Sequence, residues 1–384
     1  MKRRILRKST AAMCSAILLT GIAGNMPVYA ESENSDINSP FDSDTKGWLL
    51  WHTYSDYSAR DSRLYLRNPD GLTGEITGDF VHAMNGSFGN SPEQITFMAI
   101  DSTADEWDIF ILENGNAVNL TKNSGFRNED PKWSPDGKSI IFKRGRWDSS
   151  IDDFSYNLAL LDVETRGITM LTNDTAEEAM PCFSSDGKTI YYAGYNEGIG
   201  SLYAMDTESG GTTVIYSENG VTAYYPIVNS DNLYFTKWYS SDNRCDQLMV
   251  WDGKTMQRLP FNSDKYDCSD ACPIDNDRII FSSTMNGGYD LYCYDGSEII
   301  PLSGINTDYN ELGADFFPYE EYSGSDSVRG DVNADGSFNI ADIVMLQKWL
   351  IGAGDIISWQ AGDLLGDSVL DVFDLCVMKS EVLL

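Results

Sequence analysis

The chain has 384 residues, with 27 basic and 59 acidic side chains and a formal net charge of −32. This length allows two or three domains, each with its own core. So acidic a chain repels nucleic acid and anionic lipid, so we expect neither as a partner, and the excess of carboxylates suits calcium binding and solubility outside the cell.

The first thirty residues have the pattern of a secretory signal peptide. Basic residues precede an apolar run from Ala11 to Ala23, and small residues at Val28 and Ala30 indicate cleavage after Ala30. The run is too short to cross the roughly 30 Å of a bilayer core, which argues against a membrane anchor. We therefore expect a secreted, extracellular protein without a membrane span. Cleavage removes five basic residues, which leaves 22 against 59 acidic ones and a net charge of −37.

Six cysteines remain after that cleavage. They include no C-x-x-C pair and have no histidine nearby, so neither zinc nor redox chemistry is indicated. One or two disulfides among Cys245, Cys268, Cys272 and Cys293 are compatible with the sequence, which does not assign them.

A turn phrase returns six times between residues 40 and 322, and its full form is SPDGKSIIF from residue 134. The copies are about 45 residues apart, and each is followed by further short runs rich in aromatic and β-branched residues. A period of this size in units made only of strands is typical of a β-propeller with four strands in each blade. Six copies predict six blades. The segment ADFFPY at 314–319 would close the ring as the innermost strand of the first blade.

The Ser-Pro-Asp-Gly-Lys phrase resembles the TolB-like propeller repeat, over the whole of residues 40–322. The resemblance implies an all-β, six-bladed propeller and does not indicate a reaction type. A β-sandwich or a β-helix is the alternative architecture.

One face of such a propeller is a candidate site for polysaccharide. The loops that enter each first strand share this face with those that join second to third strands, and they carry both histidines of the mature chain. Aromatic rings stack on pyranose faces, and charged groups bind hydroxyls or uronate carboxylates. The predicted catalytic residues are His82, His52, Arg127 and Arg146. The predicted substrate-binding residues are Trp107, Trp147, Trp238, Tyr57 and Arg60.

The reaction stays open at this point. Glycoside hydrolysis needs two carboxylates at a defined separation, and 59 acidic residues offer no discrimination. Lyase chemistry on a uronic acid needs a base near the acidic carbon and a cation on the carboxylate, for which a histidine and an arginine of this face would serve. The alternative to either enzyme is a non-catalytic propeller that binds glycan or protein.

Residues 323–328 have the composition of a flexible linker, and residues 329–384 hold a duplicated loop and helix. In the first copy, each ligand position of a twelve-residue calcium loop has a suitable residue, in the order Asp331, Asn333, Asp335, Ser337, Asn339 and Asp342. The second copy keeps Asp363, Asp367, Asp371 and Asp374. It has Leu365 at a ligand position and Ser368 at the turn glycine. We therefore predict two calcium sites, of which the second is weaker.

Each loop runs into a helix with an apolar face, formed by Ile343, Leu346 and Leu350 in one copy and Leu375, Met378 and Val382 in the other. The pair of units closely resembles the type I dockerin module, a small all-α calcium-binding domain. The resemblance implies calcium-dependent binding to a cohesin domain of a scaffoldin in a cellulosome, with a propeller that acts on plant-type polysaccharide. Apart from this scaffold we expect a monomer. Carried over by position, the partner-binding residues are Ile340, Ala341, Gln347, Lys348, Val372, Phe373, Lys379 and Ser380.

Overall fold

The computed structural model describes residues 46–78, 80–102, 106–113, 116–173, 177–196, 199–239, 245–275, 277–319, 328–333, 337–354, 356–364 and 370–382. The expected signal peptide and residues 323–327 of the expected linker lie outside these ranges. The chain divides into two compact units, Met1–Pro318 and Tyr319–Leu384, which are described separately below. Among the described helices, none has the length and hydropathy of a bilayer-spanning segment.

In the described part of the first unit, the strands form six sheets of four. Blade 1 contains β24 (Asn310–Pro318), β1 (Gly47–Tyr54), β2 (Arg63–Arg67) and β3 (Thr73–Glu75). Blade 2 contains β4 (His82–Phe88), β5 (Ile95–Ile100), β6 (Asp108–Glu113) and β7 (Asn116–Asn119). Blade 3 contains β8 (Arg127–Trp133), β9 (Ser139–Asp148), β10 (Asp153–Asp162) and β11 (Ile168–Met170).

The remaining three blades have the same antiparallel order. Blade 4 contains β12 (Glu177–Phe183), β13 (Thr189–Asn196), β14 (Ile199–Asp206) and β15 (Thr212–Tyr216). Blade 5 contains β16 (Thr222–Asn229), β17 (Asn232–Trp238), β18 (Gln247–Trp251) and β19 (Met256–Arg258). Blade 6 contains β20 (Cys268–Pro273), β21 (Ile279–Ser283), β22 (Asp290–Tyr294) and β23 (Ile299–Pro301).

These sheets confirm the predicted six-bladed β-propeller, and β24 confirms the predicted closure of the ring. It pairs antiparallel with β1, so that Trp48 lies opposite Phe317 and Leu50 opposite Asp315. The strand begins at Asn310, earlier than the predicted start at Ala314. The first and last strands of the propeller are therefore held in one sheet.

The repeated turn phrase joins the first and second strands of a blade. In blade 3, Oδ1 of Asp136 accepts hydrogen bonds from Ser134 Oγ at 2.6 Å and from Lys138 N at 3.1 Å. Gly137 has a φ of 68°, in the left-handed region that glycine adopts without strain. The same contacts recur within residues 184–188 of blade 4. The phrase is thus a local turn, which explains why it marks each blade in the sequence.

Each innermost strand has a bulge with a positive backbone φ where its pairing with the second strand shifts register. The residues at these bulges have φ between 52° and 59°, and they are Asn85, Asp130, Met180, Tyr225, Asp270 and Gly313. Four consecutive bulges line a narrow cavity on the axis of the ring. A bulge bends and twists its strand, so these residues set how the strands meet at the axis.

Of the four cysteines considered for disulfides, Cys268, Cys272 and Cys293 are free thiols, and Cys245 Sγ donates to the carbonyl of Asp264 at 3.2 Å. Cys182 and Cys376 are free thiols as well. Cys272 and Cys293 lie opposite Ile280 from the two sides, on β20 and β22. Strands two positions apart in a sheet are separated by about 10 Å, whereas the Cα atoms of a disulfide lie within about 7 Å. This pair therefore has the wrong spacing for a bond.

The described residues of the second unit form three helices, α1 (Ile340–Leu350), α2 (Trp359–Gly362) and α3 (Val372–Val382). The predicted apolar faces of α1 and α3 pack together, with Ile343 and Leu346 in the same buried cluster as Leu375 and Met378. This packing confirms the small helical domain that the duplicated pattern predicts.

Candidate functional site

Both predicted histidines lie at the junction of blades 1 and 2, buried. His82 is 2% exposed and His52 is 3% exposed. Nδ1 of His82 contacts the hydroxyl of Ser62 and accepts a hydrogen bond from Ser62 N at 3.3 Å. Nδ1 of His52 accepts one from Asn85 N at 3.5 Å. One nitrogen of each ring is therefore used within the protein.

Burial determines the protonation of these rings. Burial, followed by the charge of His82, lowers the pKa of His52 to about 3. Burial, followed by Arg60, lowers the pKa of His82 to about 4. Both imidazoles are neutral at neutral pH, which is the protonation state that a general base requires. Each histidine therefore has the protonation state that a general base needs, but its side chain is buried.

Trp107 and Tyr57 are the aromatic neighbours of His82. The ring centroid of Trp107 lies 4.5 Å from that of His82, and Tyr57 lies 6.1 Å from it in an edge-to-face arrangement. Trp107 is only 7% exposed, so its ring packs on the histidine and offers little surface to a sugar. Tyr57 is exposed, which leaves it as the accessible aromatic residue of this corner.

Blade 3 carries a row of three aromatic rings on β9 and β10, which are ten residues long. Trp147 lies opposite Phe154 across the hairpin, with ring centroids 5.6 Å apart. Phe154 stacks on Tyr156 at 5.7 Å. Trp147 is 53% exposed. The ring of Trp147 is therefore accessible to a ligand, and it packs against Phe154, which in turn stacks on Tyr156.

Arg127 holds this row from the side of β8. Its guanidinium carbon lies 4.2 Å from the ring centroid of Phe154, and its Nη1 donates to Tyr156 Oη at 3.5 Å. Nε pairs with the carboxylate of Glu106. A guanidinium held by a carboxylate and two rings is well ordered, but part of its charge is already compensated.

Lys143 connects blade 3 to blade 4. Its Nζ lies 3.3 Å from Glu129 and 2.8 Å from Glu177, and 4.0 Å from the ring centroid of Tyr156. Burial alone would lower the pKa of Lys143, but the charge of Glu129 and other nearby acids outweighs it and raises that pKa. Lys143 therefore stays charged and holds the two blades together.

Arg144 and Arg146 carry the remaining cationic groups of β9. Both lie over the ring of Phe126, with guanidinium carbons 4.0 and 5.6 Å from its centroid. Arg144 donates to the neutral amide oxygen of Asn128 at 2.8 Å. Neither guanidinium forms an ion pair with another described residue. Asp108 is near enough to Arg144, and Asp148 to Arg146, to interact with it electrostatically, but neither makes an ion pair that would occupy the guanidinium.

The structure thus brings the predicted residues together in two groups. Tyr57, Trp107 and His82 are in contact, with exposed Arg60 in the same loop as Tyr57. Arg127, Arg146 and Trp147 lie on blade 3, whereas Trp238 ends β17 in blade 5. Sequence analysis missed Phe126, Lys143, Phe154 and Tyr156. The spacing of Phe154 and Tyr156, two residues apart in a strand, was the available signal that they share a face.

The first calcium loop has buried carboxylates at its two ends, Asp331 and Asp342. Asp342 accepts backbone hydrogen bonds from Asn333 at 3.2 Å and from Asn339 at 2.8 Å. Asn339 in turn caps α1 by accepting from Ala341 N at 2.8 Å. Buried carboxylates held by backbone donors fit a hard cation that prefers oxygen ligands. Asp335, at the fifth position, lies outside the described residues.

The second loop repeats this arrangement at its end. Asp374 is buried and accepts from Asp371 N at 3.0 Å, and Asp371 caps α3 by accepting from Phe373 N at 2.6 Å. Asp363 and Asp371 are half-buried, and Asp367 lies outside the described residues. Within the described ranges, no three His, Cys, Asp or Glu side chains are grouped closely enough to hold a metal. The two loops therefore share the same hydrogen bonds between position nine, which caps the helix, and position twelve, whose carboxylate is buried.

Most of the predicted partner-binding residues on α1 and α3 are accessible, at the helix starts and further along each helix. Exposed apolar side chains are Ile340, Val372 and Phe373, and Ala341, Lys348 and Ser380 are exposed as well. Gln347 and Lys379 are half-buried. Ile351 and Ile357 are exposed apolar residues that sequence analysis did not include.

Three comparisons place these units among known proteins. Residues 329–383 match the model of the dockerin type I domain. For the fold, TolB of Acinetobacter baumannii aligns with a TM-score of 0.55 at 14% identity, over 72% of this chain and 68% of that one. Hydrazine synthase of Kuenenia stuttgartiensis aligns with a TM-score of 0.59 at 14% identity, over 71% of this chain and 46% of that one.

One curated relative, the uncharacterized peptidase YuxL of Bacillus subtilis, is 28% identical over 82 residues. That match covers 21% of this chain and only 12% of the relative. The dockerin match implies a cohesin partner, calcium as the bound ion and a place in cellulosomes, which are extracellular. The chain therefore consists of a six-bladed β-propeller with a TolB-like fold, followed in sequence by a C-terminal dockerin type I domain.

Proposed function

We propose that this protein is a secreted cellulosome component. Its dockerin domain attaches it to a cohesin domain of a scaffoldin, and its propeller binds an acidic plant-type polysaccharide on blade 3. The observation that carries the propeller part is that β9 presents the exposed ring of Trp147 and, at neighbouring positions, the guanidinium groups of Arg144 and Arg146, which lie over Phe126.

Charge supports an acidic ligand. The chain as a whole is strongly acidic, with a net charge of −32, so most of its surface repels anions. Arg144 and Arg146 form no ion pair with a described carboxylate, so either guanidinium could bind a uronate directly, and Trp147 on the same strand could stack on a sugar ring. A neutral glucan would gain only the stacking.

The docking part depends on calcium. When bound, the ion neutralises the carboxylates crowded in each loop and fixes the loop against its helix. Asp342 and Asp374 already hold the last positions in place through backbone hydrogen bonds, so the helix starts at Ile340 and Val372 are oriented for a partner.

The test of the propeller part is the binding of polygalacturonate and of a neutral glucan to the full chain in calcium. We expect polygalacturonate to bind more tightly. Trp147→Ala should weaken both, and Arg146→Gln should weaken polygalacturonate by about tenfold while sparing the glucan. Tyr309→Ala is the matched control, because Tyr309 is exposed to the same degree as Trp147. Equal binding by all variants would refute the blade 3 site.

Cleavage of the bound chain, by a lyase or a hydrolase, stays a prediction with a separate test. For a lyase we expect His82, or His52, to act as base and Arg127 or Arg146 to neutralise the uronate. His82→Ala should then abolish the release of unsaturated products and leave affinity unchanged. Assays for both reducing ends and unsaturated products on a glycan that binds would distinguish lyase, hydrolase and non-catalytic binding.

A further inference from the structure

A cavity of about 530 Å³ lies on blade 5, on the same face of the ring as the loops discussed above. Its described lining includes Lys237 and Tyr239 at the end of β17 and Gln247 at the start of β18. Arg258 and Asp264 line it from the outer side of the blade. It shares no residue with the aromatic row of blade 3.

Gln247 has an unused acceptor beside this cavity. The side chain is buried, and its Nε2 donates to the carbonyl of Ser263 at 2.7 Å. Its Oε1 is buried and has no hydrogen-bond partner among the residues that the structure describes. A buried amide oxygen without a donor is costly, and such groups in native proteins have a specific reason. Gln247 lines the cavity, so a ligand hydroxyl that reached this oxygen would supply the missing donor.

The charges around the cavity balance. Lys237 Nζ lies 3.4 Å from Oε2 of Glu218, in the connection between blades 4 and 5, and Arg258 Nη2 lies 3.0 Å from Asp264 Oδ1. Each cation therefore has its own carboxylate. A charged ligand would find its own charge without an unpaired counter-charge in this described lining, so the cavity favours an uncharged ligand with many hydrogen-bonding groups.

Tyr239 supplies an apolar surface. Its ring is 52% exposed, and Lys237 Nζ lies 4.9 Å from its centroid, which holds the ring at the rim. An accessible ring, an unused acceptor and flanking donors match a pyranose, which has an apolar face and vicinal hydroxyls. We infer that this cavity binds one uncharged sugar unit, which stacks on Tyr239 and donates a hydroxyl to Gln247 Oε1. The choice of a sugar rests on the proposed function, whereas the preference for an uncharged ligand rests on this cavity alone.

The experiment measures binding of cellobiose, xylobiose, mannobiose and digalacturonate to the full chain in calcium by titration calorimetry and saturation-transfer NMR. We expect at least one uncharged disaccharide to bind. Tyr239→Ala and Gln247→Met should each weaken that binding by about tenfold, through loss of the stacking surface and of the acceptor. Both variants should bind digalacturonate as the wild type does. Tyr309→Ala, which removes an equally exposed ring elsewhere, should change neither.

The outcomes separate this inference from the proposed function. Binding of digalacturonate without binding of any uncharged disaccharide overturns the inference and leaves blade 3 as proposed. An uncharged disaccharide whose affinity falls in Trp147→Ala but not in Tyr239→Ala also overturns it, because the sugar then binds on blade 3. Tyr239→Ala changes an exposed side chain, so it decides the question alone if Gln247→Met does not fold. An absence of binding by all four sugars overturns this inference, and the polygalacturonate titration then decides separately on the blade 3 site.

Discussion

Glu311 lies fully buried near the start of β24, the strand that closes the ring. Thr307 donates to its Oε1 at 2.5 Å, and within the described part of the chain its Oε2 has no hydrogen-bond partner. Burial raises the pKa of Glu311 to about 7 despite that hydrogen bond, and the nearby charge of Asp290 adds to the shift. The carboxyl group is therefore protonated in the folded propeller over a pH range where it is ionised in the unfolded chain.

The sign of the pH dependence follows from this shift. The folded state binds the proton more tightly, so its contribution to stability is complete below the unfolded pKa of 4.5 and is lost as the pH rises to about 7. We expect the melting temperature of the propeller to fall over that range, by the equivalent of at most about 3 kcal/mol. Glu311→Gln should remove this dependence, whereas Glu298→Gln, at an exposed position of blade 6, should keep it. Identical pH profiles for wild type and Glu311→Gln would contradict the prediction.

Single residues of the site were partly predictable. The order of strands determines which loops share a face, so the sequence placed Trp147, Arg146 and both histidines on one side of the ring. It did not predict burial, because the packing of Trp107 on His82 depends on how blades 1 and 2 meet. Lys143 was missed for the same reason, since Glu177 belongs to the next blade.

At the scale of elements, the bulge of β24 depends on a glycine. Gly313 has a φ of 59°, and a Cβ at this position would lie 2.6 Å from Cε1 of His52. We expect Gly313→Ala to lower the free energy of unfolding by about 1–3 kcal/mol more than Gly125→Ala. Gly125 is the matched control, because it also has a positive φ but no atom within 4 Å of an added Cβ. Urea denaturation of both variants measures the difference, and equal losses would mean that His52 moves aside without cost.

The two calcium loops differ in sequence, and so should their affinities. The first has suitable ligands throughout, whereas Leu365 and Ser368 cost the second an oxygen and its turn glycine. We expect chelation to unfold the dockerin domain and leave the propeller folded. Asp335→Ala should reduce calcium affinity more than Asp367→Ala. Calorimetric titration gives stoichiometry and affinity, and two sites of equal affinity would contradict the predicted asymmetry.

The blades and helices were predictable because local patterns determine them. A turn phrase that repeats at a fixed period marks each blade. Three apolar residues at positions i, i+3 and i+7 mark the apolar face of each of the two longer dockerin helices. The bulges were not predictable. Met180 and Tyr225 adopt positive φ, which bulky residues avoid in isolation, so the geometry of six strands around an axis must impose it.

At the scale of the whole molecule, the closing strand sets where the chain can be shortened. A chain that ends after residue 325 keeps β24, and its propeller should retain the thermal transition of the full chain. A chain that ends after residue 309 loses the inner partner of β1 and with it Ala314, part of the apolar cluster shared by blades 1 and 6. We expect it not to melt cooperatively. Calorimetry compares the two, and an equally cooperative transition in the shorter chain would contradict the role of β24.

Because the dockerin follows β24 in the chain, the order of synthesis links ring closure to docking. A ribosome that stops anywhere before Asn310 produces an open ring, and the same product lacks the helices with which it would dock. Only a chain translated past the closing strand acquires the means of attachment. If the dockerin binds a cohesin as proposed, prematurely terminated propellers would not be incorporated into the scaffold, because they lack the helices that bind it.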